Sequence, residues 1–575
     1  MWLFHRRKVK IHEIDPDEIF LDSSNLPSHN KKQFEGRVER PVTGKAIWSV
    51  GIAFALVAAA FSVKAFNLQV SNGPAYSDIS RNNSLIRSLI FATRGVIYDR
   101  NGLELAWNEA PSPALDKGNG NYATSSSSFA LRKYSALSGL SHLIGFVRYP
   151  KADSKGAWWR EEYAGISGVE LAFNSVISGQ NGSTMVETDA RGRVEREHII
   201  APPKNGPDIR LSIDAEVESE LYKVLSAHAI KNRFDGGASV IMDVQTGEIL
   251  ALASFPEYDH TAFTEGNSKI IREAFINPST PMLNRAVSGA YTPGSIVKPI
   301  FASAALNEKI IVPEKEILST GAITIANPYD KARPSVFRDW AVHGWVDMRT
   351  ALAVSSDEYF YTIGGGYGGQ QGLGINRLDE YARRFGLGSS TGIALLGEVD
   401  GVIPTPQWKE EIFGAGDPWR IGNTYHTAIG QYGFQITPLQ AVRYTAAIAN
   451  GGKLLKPQIL ASSTPEFGDV GIPDSYLKVV REGMRLAVTS TKKNATVKYL
   501  NIPRLQMAGK TGTAQTGLRN ESMNAWFVGF WPAENPQYAV ATVLENAPAG
   551  TLSGAGPAML PFFQWLIANK PEYLN

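Results

Sequence analysis

Residues 292–299 read TPGSIVKP and are followed by the helix-favouring run IFASAALNEK. Proline is tolerated only near a helix start, where backbone N–H groups lack intrahelical partners, so Pro299 predicts a helix that begins near Gly294. Ser295 then lies in the first turn, and Lys298 follows on the same face. An amine whose pKa is lowered by burial can take the proton of a serine nucleophile. Alone, S-x-x-K also fits an ordinary helix start.

A second motif, Lys510-Thr511-Gly512-Thr513, lies in a strand-like run near the C-terminus. The small residue Gly512 leaves room for another backbone to approach closely. A strand edge binds an extended peptide through main-chain hydrogen bonds. The Lys510 ammonium and the hydroxyls of Thr511 and Thr513 could hold a C-terminal carboxylate. The alternative is a solvated edge strand with a glycine bulge.

A third motif, Ser355-Ser356-Asp357, lies on an apparent helix between the other two. By itself it is equally typical of a helix cap or a polar helix face. In chain order, however, the three motifs read S-x-x-K, S-x-[ND] and K-T-G. This is the motif set of penicillin-binding proteins and serine β-lactamases.

The strand and helix patterns around these motifs predict the fold class. Residues 238–254 (ASVIMDVQTGEILALAS) form a hairpin signal, and a helix-rich stretch follows. Three more strand candidates lie at 505–515, 524–532 and 537–546, and residues 558–569 read as a closing helix. We therefore predict an α+β domain with a central antiparallel sheet over residues 211–575. Before it, residues 67–210 predict a β-containing domain, and the Gly/Ser-rich stretch Pro111 to Ser128 predicts a loop.

An apolar, uncharged stretch, AIWSVGIAFALVAAAFSV, begins at Ala46 and has nearly the length of a membrane-spanning helix. We predict a transmembrane anchor at 46–66 after a mostly disordered cytoplasmic tail at 1–45. Ala58 and Ala60 would also fit a cleaved signal peptide, but the preceding tail is unlike a short basic leader. The positive-inside rule places the tail in the cytoplasm, because basic residues crowd the N-terminal side of the stretch: Lys31, Lys32, Arg37, Arg40 and Lys45.

Composition excludes several classes of protein. The chain has 575 residues, of which 43% are hydrophobic and 19% charged, with a net charge of +2, so nothing indicates a nucleic-acid partner. It contains no cysteine, which excludes disulfides, thiolate nucleophiles and thiolate metal ligands. Catalysis must therefore depend on other side chains.

The chain resembles the class B penicillin-binding proteins from the anchor to the C-terminus. Five strings carry the resemblance: RGVIYDRNG (94–102), SGVELAFN (167–174), MDVQTGEILALAS (242–254), NRAVSGAYTPGSIVKP (284–299) and GKTGTAQ (509–515). SSDEYFY (355–361) and NAWFVGF (524–530) are more similar to the cell-elongation type, penicillin-binding protein 2, than to the division type. The resemblance implies a transpeptidase domain of the penicillin-binding protein and serine β-lactamase fold on a non-catalytic pedestal.

The resemblance also implies a reaction. Ser295 would attack the bond between the two terminal D-alanines of a peptidoglycan stem peptide, with Lys298 as general base and release of D-alanine. Ser355 would relay the proton, Lys510 would tune the local field, and the backbone N–H groups of Ser295 and Thr513 would form an oxyanion hole. An amine from a neighbouring stem would resolve the acyl-enzyme into a cross-link. A β-lactam would acylate Ser295 and stay bound.

Two differences from the family pattern limit which residue roles the resemblance implies for this chain. An ionised Asp357 only accepts hydrogen bonds, whereas the asparagine usual in division enzymes also donates. Asp357 would therefore orient Lys298 or Ser355 rather than donate to the substrate. Some elongation-type members bind zinc near this motif; here Asp339 and His343 remain, but Ser356 occupies the thiolate position, so we predict no metal and no cofactor.

The implied partners are a polytopic glycosyltransferase and a morphogenesis scaffold protein, which the pedestal would contact outside the cytoplasmic membrane. We predict no glycosyltransferase activity in this chain. Three alternatives stay open: a division-type transpeptidase, a β-lactamase or carboxypeptidase that hydrolyses the acyl-enzyme, and a membrane-anchored β-lactam sensor. Hydrolysis needs an activated water, and Glu398 is the carboxylate that might supply it, although its context lacks the E-x-x-x-N spacing of class A β-lactamases.

Overall fold

The computed structural model describes residues 44–74, 76, 84–110, 129–154, 157–188, 194–327, 332–517 and 519–574. The chain divides into two compact units, residues 1–85 with 187–195, and residues 86–186 with 196–575. Nearly all of the predicted tail (1–45) and the whole of the predicted loop at 111–128 lie outside the described residues.

Helix α1 (Gly44–Phe66) accounts for most of the described part of the first unit and continues as a π-helical turn, Asn67–Ser71. Within residues 47–71, an 18-residue window has a mean hydropathy of 1.9, and none of that window is buried. By length and composition it could span a membrane, and it is the one such helix in the described parts of the chain. The predicted anchor at 46–66 thus coincides with an apolar helix that begins two residues earlier.

The pedestal is built from short strands, as expected from the sequence. Its strands are β1 (Ser84–Ile90), β2 (Ile97–Tyr98), β3 (Glu104–Glu109), β4 (Leu131–Tyr134), β5 (Val147–Arg148), β6 (Lys151–Ala152), β7 (Trp158–Arg160), β8 (Ala164–Gly165), β9 (Gly182–Thr188), β10 (Val194–Ala201) and β11 (Ile209–Arg210). They form sheets of order β1-β9-β10, β11-β2-β3-β4, β5-β8 and β6-β7. Its described residues also include three short helices: α2 (Ser141–Ile144), α3 (Gly168–Ala172) and α4 (Asn174–Ile177).

A buried ion cluster joins two of the strings that carried the family resemblance. Arg94 Nε donates to Glu170 Oε2 at 2.5 Å, and Arg132 Nε donates to Glu170 Oε1 at 2.7 Å. All three side chains are fully buried. Arg94 also donates to the side chain of Asn174 at 2.9 Å, so the two segments are fixed to each other by charge-assisted hydrogen bonds.

The second half of the chain contains the remaining helices and strands. The helices are α5 (Ala215–Asn232), α6 (His260–Thr264), α7 (Ser268–Ile276), α8 (Lys298–Asn307), α9 (Met348–Val354), α10 (Asp357–Gly365), α11 (Gly374–Arg384), α12 (Pro406–Phe413), α13 (Ile421–Ala428), α14 (Pro438–Ala449), α15 (Asp474–Thr489) and α16 (Ala555–Asn569). Short 3₁₀ turns lie at Gly294–Val297, Lys498–Leu500 and Pro571–Leu574. The strands are β12 (Gly236–Asp243), β13 (Ile249–Phe255), β14 (Ile317–Ser319), β15 (Ala322–Ile325), β16 (Ser335–Arg338), β17 (Gly344–Val346), β18 (Lys453–Leu455), β19 (Phe467–Asp469), β20 (Ala508–Thr516), β21 (Ser522–Trp531) and β22 (Tyr538–Pro548).

The central sheet has the order β13-β12-β22-β21-β20, and every pair is antiparallel. Successive residues of a strand point to opposite faces, so Val240 and Met242 join the core that includes helix α14, whereas Ile241 joins the core that includes α5 and α16. Helices cover both faces, which confirms the predicted α+β domain with two early and three late strands. Strand β20, which carries Lys510, is left at the edge.

Candidate active site

Ser295 lies in the 3₁₀ turn Gly294–Val297, directly before helix α8. The helical segment therefore begins at the predicted residue, but its first turn is tighter than an α-helix. Two hydrogen bonds fix the turn: the N–H of Gly294 donates to Gly430 O at 2.9 Å, and the side-chain hydroxyl of Tyr444 donates to Ile296 O at 2.7 Å. The Ser295 side chain, half-buried, faces a cavity of about 700 Å³.

Lys298 is fully buried and is held by the second motif. Its Nζ donates to Asp357 Oδ1 at 2.6 Å, to Ser355 O at 2.8 Å and to Ser355 Oγ at 3.3 Å. Within the described residues, no hydrogen bond joins it to Ser295. In this state Lys298 thus forms an ion pair with Asp357. That Asp357 orients Lys298 or Ser355 for catalysis stays a prediction.

The second motif lies at a junction between two helices, not within one helix as the sequence suggested. Ser355 follows the last residue of α9 in the left-handed conformation (φ 58°), and Ser356 caps α10 by accepting the N–H of Tyr359 at 3.2 Å. Asp357 is the first residue of α10. A non-glycine residue in this conformation costs roughly 1–2 kcal/mol, and such strain concentrates at functional sites.

Lys510 projects from edge strand β20 and meets Lys298 at Ser355. Its Nζ donates to Ser355 Oγ at 2.7 Å and to Thr511 O at 2.8 Å. Complete burial, reinforced by the positive charge of Lys298, lowers the pKa of Lys510 well below its ordinary value, although Asp357 opposes this shift. The two lysine amines therefore share one serine hydroxyl.

Gly512 allows strand β20 to touch the nucleophile turn. A Cβ on this residue would lie 2.7 Å from Pro293 O and 2.9 Å from Ile296 Cγ2. The sequence predicted that another backbone lies close to Gly512. In the structure, that backbone is the nucleophile turn of the same chain. Thr511 is half-buried and Thr513 is exposed at the cavity.

Comparison with known proteins gives the family. Residues 237–564 match the model of the penicillin-binding protein transpeptidase domain, and residues 125–211 match that of the penicillin-binding protein dimerisation domain. The chain belongs to the penicillin-binding protein transpeptidase family. Its class B organisation, of the penicillin-binding protein 2 type, agrees with the resemblance read from the sequence.

Three relatives illustrate the match. The chain is 33% identical over 466 residues to the Escherichia coli peptidoglycan D,D-transpeptidase MrdA, which covers 74% of this chain and 69% of that protein. Penicillin-binding protein 2 of Helicobacter pylori, solved in complex with MreC, superposes with a TM-score of 0.67 at 25% identity, covering 85% of this chain and 99% of that one. A chain of a peptidoglycan synthase complex that coordinates polymerization and crosslinking superposes with a TM-score of 0.67 at 27% identity, covering 92% and 98%.

In this penicillin-binding protein, Asp339 and His343, the two remaining residues of the zinc-binding pattern, lie next to each other, with His343 Nε2 3.4 Å from Asp339 Oδ1. Asp339 Oδ2 accepts from Ser356 Oγ at 2.8 Å and from the N–H of Glu358 at 2.9 Å. Burial opposes its ionisation, but contacts with His343 and backbone N–H groups outweigh burial and hold the pKa of Asp339 well below its usual range. In the described ranges, no three His, Asp or Glu side chains are grouped to hold a metal. That this protein needs no metal stays a prediction.

Sequence reasoning missed several residues of the cavity wall. Besides Ser295 and Asp357, the wall includes side chains from β16, α10, α13 and the loop after α13, among them Phe337, Trp340, Tyr361, His426 and Gln431. Trp340 Nε1 donates to Ser355 O at 3.2 Å, so it also supports the second motif. No local pattern distinguishes these residues, because they meet only through the tertiary fold.

Proposed function

We propose that this protein is a peptidoglycan D,D-transpeptidase of the cell-elongation type, which cross-links stem peptides through an acyl-enzyme on Ser295 and releases D-alanine. One observation carries the proposal: Ser355 Oγ accepts from both Lys298 and Lys510 beside the cavity that Ser295 faces. This arrangement can take a proton from a serine nucleophile and return it to a leaving amine.

The hydrogen bonds of Ser355 suggest how Lys298 becomes a base. Lys298 is ion-paired with Asp357, whereas Lys510 has a lowered pKa. Because its pKa is lowered, Lys510 starts as a neutral amine. Lys298 gives a proton to Ser355 Oγ as Ser355 gives its own hydroxyl proton to Lys510, which leaves Lys298 neutral without changing the total charge. Lys298 then takes the proton of Ser295 as the hydroxyl attacks the D-Ala-D-Ala carbonyl, and Ser355 returns it to the departing D-alanine.

Strand β20 and the nucleophile turn supply the binding groups. A Cβ on Gly294 would lie 2.6 Å from Thr513 O, so the backbones of Ser295 and Thr513 are close neighbours. Their N–H groups form the oxyanion hole, a contact whose loss costs roughly 10² to 10³ in rate. The free edge of β20 binds the donor peptide as an added strand, with Thr511, Thr513 and Gly512 in contact with it.

The position of Glu398 favours transpeptidation over hydrolysis. Its carboxylate accepts the backbone N–H groups of Thr391 at 2.6 Å and Gly392 at 3.1 Å. The carboxylates in the wall of the Ser295 cavity are Asp339 and Asp357, within the part of the chain that the structure describes. Glu398 is therefore engaged in a turn and is not available to activate water, which argues against a β-lactamase.

The remaining assignments follow from the same proposal. Residues 1–45 form a cytoplasmic tail, 46–66 anchor the protein in the cytoplasmic membrane, 67–210 form the pedestal, and 211–575 form the extracytoplasmic transpeptidase domain. The partners are a glycosyltransferase and a morphogenesis scaffold. The solved relatives support both, since one is in complex with MreC and another belongs to a peptidoglycan synthase complex.

Intact mass of the detergent-solubilised chain after incubation with penicillin tests the nucleophile. We expect one stable adduct that Ser295→Ala abolishes, followed by cross-linking of stem-peptide donors by the wild-type chain. Rapid turnover of the adduct would instead identify a β-lactamase. A stable adduct without any cross-linking would identify a sensor.

A further inference from the structure

His426 is a histidine in the wall of the Ser295 cavity that the mechanism above does not use. It lies in helix α13 and is half-buried. Its ring packs against that of Phe337, with the centroids 5.5 Å apart. Its ring nitrogens form no hydrogen bond within the described residues, so they are free to bind a molecule in the cavity.

The backbone holds His426 in a fixed position relative to the nucleophile. Helix α13 ends at Ala428, and Gly430 accepts the N–H of Gly294 at 2.9 Å. A Cβ on Gly430 would lie 2.2 Å from Gly294 O, so the two segments are in direct backbone contact. His426 and Ser295 thus line one cavity, and direct backbone contact holds their two segments together.

The charges around His426 favour a neutral imidazole. Burial lowers its pKa from the ordinary histidine value, and the negative charge of Asp357 opposes this shift. The other titratable or charged groups in the cavity wall are Arg338, Asp339, Tyr361 and Tyr432. Lys298 and Lys510 are bound to Ser355, and Arg338 keeps its proton, so His426 is the neutral nitrogen base in the described wall.

We propose that His426 is the base that receives the proton of the acceptor amine when that amine attacks the acyl-enzyme. This inference rests on the proposed function and concerns only its second half. The amine nitrogen forms a bond to the acyl carbon, and the bond from that carbon to Ser295 Oγ breaks with its electron pair. After D-alanine has left, Lys510 returns its proton through Ser355 Oγ to Lys298, which is then protonated again. His426 takes the proton that the nitrogen loses, and Ser295 Oγ receives one from Lys298. His426 then returns its proton to Lys298 by way of Asp357, so the site ends as it began.

Two variants, His426→Gln and His426→Asn, test this role in the full chain. The two rates measured are acylation by penicillin and aminolysis of a D-alanyl thioester donor by D-lysine. A general base contributes about 10² or more in rate, so we expect aminolysis to fall by about 10² relative to acylation. Protonation of the imidazole gives the wild-type aminolysis profile an acid limb, which lies below the ordinary histidine pKa because the pKa of His426 is lowered; we expect the variants to lose it.

His198→Gln is the matched control, because His198 is exposed in strand β10 of the pedestal. It should leave both rates and the profile as in the wild type. Equal losses in acylation and aminolysis, or an acid limb that persists in both His426 variants, would overturn the proposal. Failure of the wild-type chain to form an adduct on Ser295 would instead reject the proposed function.

Discussion

Gly512→Ala inserts one methyl group between strand β20 and the nucleophile turn. The added Cβ would lie 2.7 Å from Pro293 O and 2.9 Å from Ile296 Cγ2. Ordinary contact distances are about 3.5–4 Å, so strand and turn must separate by roughly 0.5–1 Å. Misplacement of reacting groups by about 1 Å can cost 10² in rate. We therefore expect acylation of Ser295 by penicillin to slow by about 10².

The same substitution should destabilise the fold only moderately, by about 1–3 kcal/mol, as for other overpacked sites. Stopped-flow acylation with a fluorescent penicillin gives the rate, and urea unfolding gives the stability. Gly468→Ala is the control, because a Cβ there has no atom within 4 Å; we expect both quantities to stay near wild type. If Gly512→Ala acylates within about threefold of wild type, strand and turn are not held as rigidly as the contacts imply.

Two further predictions concern buried charges. Burial lowers the pKa of Lys510, so the unfolded chain binds a proton that the folded chain lacks, and the free energy of unfolding should rise with pH up to about 10.5. We expect Lys510→Met to reduce that slope by up to about 1.4 kcal/mol per pH unit in urea titrations at pH 7.5–9.5. An unchanged slope would contradict the lowered pKa. Glu170→Gln leaves Arg94 and Arg132 buried without their counter-charge, so we expect the free energy of unfolding, measured in urea, to fall by about 3–5 kcal/mol. The control is Glu109→Gln, which removes an exposed ion pair and should cost under about 1 kcal/mol. Similar losses in both variants would refute this prediction.

The sequence predicted the elements whose signals are local. The hairpin at 238–254, the three late strands and the start of the nucleophile segment at Gly294 all carry period-2 apolar patterns or proline and glycine positions, and the structure places them accordingly. The motif Ser355-Ser356-Asp357 was ambiguous, because the same residues fit a helix face or a helix cap. The left-handed conformation of Ser355, which separates α9 from α10, has no such local signal.

The cavity wall could not be predicted, because its residues come from separate elements. Phe337 and Trp340 lie far from His426 in sequence, and the three meet in one wall through packing around α10 and α13. The sequence left open whether Asp357 contacts Lys298 or Ser355, and it did not show that Lys298 reaches Asp357 instead of Ser295, since helix periodicity fixes only which face a side chain shares. Sequence spacing thus identified the chemical groups, whereas the fold determines their hydrogen bonds.

The hydroxyl of Ser355 must lie within hydrogen-bond distance of two amines, Lys298 from α8 and Lys510 from β20. This requirement explains why Ser355 lies at a strained junction between α9 and α10. A residue inside a continuous helix would extend its side chain from the helix surface, whereas the left-handed residue ends α9 and redirects the chain into α10. The start of α10 is then fixed from behind, because Asp339 accepts from Ser356 and from the N–H of Glu358, and the Glu358 carboxylate accepts the N–H groups of Thr320 and Gly321. These contacts offset the local strain with charge-assisted hydrogen bonds. The hydrogen bonds around Ser356 therefore hold Ser355 in position. They keep its hydroxyl within reach of both lysine amines, as proton transfer between those amines requires.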